Sequence, residues 1–257
     1  HTEVMRPSLR IALVTVLIGS IGVIVTGDLQ ARLMTQQQPM KMAAAEALYD
    51  TTAPASFSVF TIGSLDGSKE VWSVRLPGVL SFMATGSFDG KVEGINQLQQ
   101  QEAQTYGPGN YMPVIPMTYW TFRLMIGFGM LAGLLSLVGL WLTRRRTIRP
   151  VPRWYYRAAF AGLFLPFAAN SVGWIFTEMG RQPWSVYGLL RTADGVSPSV
   201  GVASVLTSLI VFTLLYGVLA VVDGVLMTRY AKAGPPPPTP LTPVVDSDAP
   251  RPLTVAY

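Results

Sequence analysis

Four apolar runs, each long enough to cross the hydrocarbon core of a bilayer, constrain this chain more than any other feature. They cover 9–27, 117–143, 156–178 and 200–228. A helix needs about 20 apolar residues to span about 30 Å of hydrocarbon, and a lone chain segment at that depth must satisfy its own backbone polar groups. The runs therefore predict an all-α membrane protein: four transmembrane helices that form a segment of a larger helical bundle. Composition agrees, with 13% charged and 50% hydrophobic residues against roughly 25% charged in soluble domains. An ordinary soluble enzyme and a disordered chain are both excluded as descriptions of the whole. Pro166 falls inside the third run; a membrane helix tolerates it where neighbours satisfy the freed carbonyl.

Orientation follows from the arginines. The connector 144–155 and the start of the third run carry Arg144, Arg145, Arg146, Arg149, Arg153 and Arg157 with no acid among them, which places this side in the cytoplasm. Arg6 and Arg10 border the first run, and Arg229 and Lys232 follow the fourth. Four crossings then put the flank 1–8 and the tail 229–257 on that cytoplasmic side. The segments 28–116 and 179–199 fall outside. The larger one holds five cations against eight acids. Nucleic acid is a poor account of the net charge of +5, because the arginines border apolar runs.

The outer segment has its own folding signals. Lys41–Thr51 is rich in helix formers, Glu70–Arg75 alternates like a strand, and Gly63, Gly67, Gly86 and Gly90 mark turns. Gln97–Gln104 is polar and is expected to be mobile. The tail begins AGPPPPTPLTP, a polyproline stretch with no core to join, expected to be disordered. No internal repeat of the kind transporters carry is present.

The chain has no Cys, and its single His is His1. That excludes thiolate metal sites, iron–sulfur clusters and disulfides within it. Three groups of residues sit where apolar runs should not hold them. Arg123 and Met125 lie near the outer end of the second run; they read either as an interfacial anchor and a core methionine, or as an anion partner and a soft ligand for haem iron. Trp174, Glu178 and Arg181 fall at helical spacing near the outer end of the third run, before Pro183. They read either as an interfacial Trp with an ordinary ion pair, or as a carboxylate ligand with a guanidinium for a propionate or phosphate. Asp223, in the fourth run, is either a packing acid or a proton-path carboxylate.

The string Gly180-Arg181-Gln182-Pro183-Trp184, preceded by Gly173-Trp174 and Glu178, resembles the signature of subunit I of the cytochrome bd quinol oxidases. Thr121-Phe122-Arg123-Leu124-Met125 is similar to that family's Phe-Arg-x-Met segment. Gly27-Asp28-Leu29-Gln30, followed by Lys41 and Glu46, is similar to the start of its quinol-binding loop, in the short-loop form. The resemblance runs to about Lys232 and covers the family's second half, from the sixth helix onward, so the chain is expected to begin inside a longer protein.

The resemblance implies a bacterial plasma-membrane oxidase that oxidises quinol at the outer face and passes electrons through low-spin haem b and high-spin haem b to haem d. Oxygen becomes water there, with protons drawn from the cytoplasm. It implies Met125 as ligand of the low-spin haem iron, with Arg123 supporting that haem. Glu178 is implied as ligand of the high-spin haem iron, with Trp174 and Arg181 beside it, and Lys41 and Glu46 at the quinol site. Subunit II, with small accessory subunits, is the implied partner. The competing expectation is a non-enzymatic four-helix membrane protein with an outer binding or sensory loop.

Overall fold

The computed structural model describes residues 2–64, 67–144 and 152–234. The polyproline tail and Arg145, Arg146 and Arg149 of the basic connector lie outside the described residues. Two compact units divide the chain, His1–Val196 and Ser197–Tyr257.

In the first unit, α1 covers Thr2–Gln37. It continues past the apolar run into 28–116, the outer segment of the orientation expected above, where Arg32 pairs with Asp28 one turn earlier at 3.1 Å. Hydroxyls within the apolar stretch return to their own helix: Thr15, Ser20 and Thr26 each donate to the carbonyl four residues back. That satisfies the polar side chain without water. A short helix α2, Pro39–Ala45, follows. Next come strands β1, Phe57–Gly63, and β2, Glu70–Leu76, paired antiparallel. Helices α3, Val79–Thr85, and α4, Ile95–Tyr106, complete the outer segment.

The alternation at Glu70–Arg75 thus does mark a strand, and its partner is β1. The polar run Gln97–Gln104, expected to be mobile, is instead the body of α4. Ile95, Leu98 and Glu102 fall on one face of that helix and are buried. Gln and Glu are good helix formers, so two apolar anchors suffice to seat the helix against the rest of the outer segment.

Helix α2 is the hub of this segment. One face puts Met40, Ala43 and Ala44 against Ile95, Leu98 and Ile115. Met42 turns the other way, into a second cluster with Leu48, Ala55, Leu80, Ala84 and Val92. The alanines let both clusters close on one short helix.

Helix α5, Ile115–Thr143, carries the second apolar run. The third forms two helices, α6, Arg153–Gly162, and α7, Leu165–Gly180. Pro166 has no N–H to return to the carbonyl of Gly162, and its ring crowds that turn. The helix therefore breaks at Leu163–Phe164. Helix α5 packs against both α1 and α7. After α7, strands β3, Trp184–Val186, and β4, Leu190–Arg191, form a small hairpin, and the Gln182–Pro183 peptide is cis.

The second unit contributes α8, Val202–Ala233. It is apolar on every face, the pattern of a helix in lipid or inside a larger bundle. Asp223 lies on it, exposed among apolar neighbours. Among the described residues, four helical stretches are long and apolar enough to cross a membrane: Arg6–Gln37, Ile115–Thr143, Arg153–Gly180 and Val202–Ala233. The architecture is mostly helical, as the apolar runs require.

Candidate functional site

Where α2 ends, Glu46 occupies the C-cap position, and Ala47 follows with φ of 46°. A left-handed backbone costs a non-glycine residue about 1–2 kcal/mol. Arg75 of β2 holds the reversal by donating to the Ala47 carbonyl at 2.7 Å, and it is itself paired with Glu70 at 2.6 Å. This turn sends the Glu46 side chain inward. There its carboxylate meets the Arg123 guanidinium of α5 at 2.6 Å, with the two side chains 1% and 11% exposed. The same carboxylate accepts the Ser58 backbone N–H at 3.0 Å. Burial pushes the Glu46 carboxyl up from its ordinary range, and Arg123, by charge and hydrogen bond, pulls it back.

Arg123 is enclosed by the rings of Phe57, Tyr119 and Phe122, centred 4.7, 5.1 and 5.2 Å from its guanidinium carbon. Its Nε and Nη1 are buried and have no hydrogen-bond partner among the described residues. Beside the ion pair, Ser58 Oγ lies 2.6 Å from Thr61 Oγ1 and 2.8 Å from Tyr119 Oη, so the buried hydroxyls satisfy one another.

Two residues along α5, Met125 points at α7. A Cβ on Gly173 would come within 2.8 Å of the Met125 sulfur, so the glycine makes room for the thioether at the α5–α7 contact. One turn past Gly173 on α7, Phe176 meets Phe122 of α5 with ring centres 4.8 Å apart.

At the C-terminal end of α7, Arg181 donates to Glu178 at 2.5 Å. The predicted spacing of three residues does bring them together. Lys41 reaches across from α2: its ammonium donates to the Thr177 carbonyl at 3.4 Å and lies 4.9 Å from the Phe176 ring centre. Its stem crosses Gly180, where a Cβ would come within 3.1 Å of Lys41 Cγ. Burial and the charge of Arg181 push the Lys41 ammonium down from its ordinary range, and Glu178 partly restores it. Lys41, Arg181, Gln182, Trp184 and Tyr187 line a small recess here.

Lys41 and Glu46 therefore point to different partners: Lys41 to the Thr177 carbonyl and the Phe176 ring, Glu46 to Arg123. Trp174, which helical spacing put on the Glu178 face, is 67% exposed on α7. Several participants carried no signal as site residues. Arg75 read as part of a strand, Ser58 stood in no pattern, and Glu102 fell in a polar run expected to be mobile. Its carboxylate instead accepts from the Trp184 indole and the Tyr187 phenol, both at 3.1 Å.

The donor set fits a haem with anionic side groups. Arg123 offers two buried, unpartnered nitrogens, Nε and Nη1, and Arg181 a third at Nε, which suits carboxylate recognition. The Met125 thioether, on the same turn of α5 as Arg123, has the chemistry of a soft ligand, and Glu178 is a carboxylate at the end of the helix that faces it.

A family model for cytochrome bd terminal oxidase subunit I matches residues 1–235. The cytochrome bd ubiquinol oxidase subunit 1 of Bacillus subtilis (strain 168) is 40% identical over 230 residues, 89% of this chain and 49% of that protein. The cytochrome bd-II ubiquinol oxidase subunit 1 of Escherichia coli (strain K12) is 28% identical over 272 residues, covering 84% and 52%. Among solved structures, the bd oxidase from Geobacillus thermodenitrificans matches with a TM-score of 0.72 at 26% identity, over 90% of this chain and 50% of that one. The chain thus spans about half the length of the relatives it matches. On the family match across its helices and outer segment, this chain belongs to the cytochrome bd terminal oxidase subunit I family.

Proposed function

We propose that this chain supplies the quinol-facing half of a respiratory terminal oxidase subunit. Quinol is oxidised at the outer face, and oxygen is reduced to water. The observation that carries this reading is the buried Glu46–Arg123 pair. It ties the outer segment to α5 two residues from Met125, so a proton-accepting carboxylate and a haem-supporting arginine share one contact.

Bound haems, low-spin b, high-spin b and d, would supply the one-electron acceptors and the oxygen-reducing centre. The chain's own residues do the rest. Met125 would hold the low-spin haem iron, and the free N–H groups of Arg123 would hold a propionate. Glu178 would hold the high-spin haem iron, with Arg181 and Trp174 beside it. Lys41, partly desolvated, donates to a quinol oxygen. Glu46, buried beside Arg123 and away from that recess, would take up a proton released as the ring gives up electrons, because burial raises its affinity for protons. Oxidation of one quinol releases two protons and two electrons. The protons leave on the outer side, in the orientation set by the basic connector, with both ends of the chain cytoplasmic. Protons for water come from the cytoplasm, and Asp223 is a carboxylate on that side of the fourth helix. Subunit II and small accessory subunits would complete the complex in the bacterial plasma membrane.

The test is a reduced-minus-oxidised visible spectrum of the purified full oxidase together with quinol-dependent oxygen uptake. Haem b and haem d bands with quinol-driven uptake are the expected result. A colourless preparation would instead favour a non-enzymatic membrane protein with an outer binding loop.

A further inference from the structure

We infer that Glu102 is a positioning residue: from α4 its carboxylate fixes Trp184 and Tyr187 as the wall of the recess that holds Lys41 and Arg181. The inference rests on reading that recess as quinol-facing.

Glu102 is 4% exposed, and no Lys or Arg among the described residues forms an ion pair with it. A carboxylate buried without a cation is costly, and an apolar side chain would seat α4 more cheaply. What the carboxylate does that an apolar group cannot is hold two donors at once. Its Oε2 takes the Trp184 indole N–H and its Oε1 the Tyr187 phenol, each at 3.1 Å.

Both donors line the recess, and both belong to the segment that also fixes Arg181. The Trp184 backbone N–H donates to the Arg181 carbonyl at 2.9 Å, and the Arg181 guanidinium donates to the Ser185 carbonyl at 3.2 Å. Glu102 therefore acts on Arg181 through a chain of named bonds without touching it.

The aromatic surroundings hold the indole further. Tyr106 meets Trp184 edge-on at 4.8 Å, and Tyr111 stacks on it at 5.8 Å. Arg191 lies over both Tyr111 and Trp184 and donates to the Tyr111 hydroxyl. Burial pushes the Glu102 carboxyl up, and its two bonds pull it back. The Tyr187 phenol is also pushed up, by burial and by Glu102. The phenol therefore stays a donor at ordinary pH.

The test uses the full oxidase in membranes and compares Glu102→Ala, Glu102→Gln, Tyr187→Phe and Lys41→Ala. Losing two hydrogen bonds to the wall is expected to raise the quinol KM about tenfold in Glu102→Ala. Haem spectra, and oxygen uptake from an artificial donor that bypasses the outer segment, stay at wild-type values. Glu102→Gln is expected to stay within about twofold, because an amide oxygen can still accept the indole N–H while the amide nitrogen donates to the phenol oxygen. If Glu102→Ala does not accumulate, Tyr187→Phe decides: a raised KM with normal spectra supports the inference, and an unchanged KM overturns it. An unchanged KM in Glu102→Ala, alongside a raised KM in Lys41→Ala, overturns the positioning role and leaves the recess reading intact. Unchanged kinetics in both overturn the recess reading, and the inference with it.

Discussion

Breaking the Glu46–Arg123 pair from its two ends is expected to give two different pH dependences. Replace Arg123 with Leu, and Glu46 stays buried at 1% exposure without its cation. The carboxylate escapes by binding a proton. For a carboxyl of ordinary pKa that costs about 4 kcal/mol at about pH 7 and about 1 kcal/mol at about pH 5. The penalty is capped at those values and falls by about 1.4 kcal/mol for each pH unit lowered. Replace Glu46 with Leu, and the guanidinium has no such escape, because it keeps its charge at every accessible pH. It retains the rings of Phe57, Tyr119 and Phe122, while the Ser58 N–H loses its acceptor. Removing one partner of a buried pair costs about 3–5 kcal/mol. That loss is expected to change far less between the two pH values than the loss in Arg123→Leu. Native-state hydrogen exchange of the β1 and α2 amides, corrected for intrinsic rates, reads both numbers as opening free energies. Equal pH dependence in the two variants, or no loss in either, would refute the claim that these charges depend on each other.

Lys41→Ala removes the ammonium that crosses Gly180. It is expected to raise the quinol KM while leaving oxygen uptake from an artificial donor unchanged, so a loss of both would place Lys41 in the fold alone. Glu178→Gln keeps the shape but removes the charge that pairs with Arg181 at 2.5 Å. Quantifying haem types in that variant should show the high-spin haem b and haem d perturbed and the low-spin haem intact, whereas loss of all haems together would indicate a structural defect.

The helices were legible because lipid imposes one rule over long stretches, and runs such as 117–143 obey it throughout. The Glu178–Arg181 pair was legible for a related reason: both residues sit on one helix, where spacing of three fixes their proximity. The Glu46–Arg123 pair joins positions 77 apart in sequence. Nothing local announces it, since it depends on how α2 docks on α5. Trp174 shows the reverse limit, because its helical face was predictable but its exposure depends on what packs against α7. Helix α4 was hidden because burial of one glutamate among glutamines reverses the usual reading of a polar run. The break at Leu163–Phe164 follows from Pro166, yet the sequence also allows a kinked continuous helix there. The structure takes the broken form, with α6 ending at Gly162 and α7 starting at Leu165.

The central claim is that α5 delivers a haem ligand from Met125, beside the arginine that faces the outer segment. The most direct measurement is the low-temperature reduced spectrum of the full oxidase carrying Met125→Leu, which keeps the volume against Gly173 and removes only the sulfur. The account predicts that the low-spin haem b signal converts to high-spin, that quinol oxidation collapses, and that the complex still assembles with its other haems. A normal low-spin spectrum in that variant would return Met125 to packing between α5 and α7 and would contradict the account.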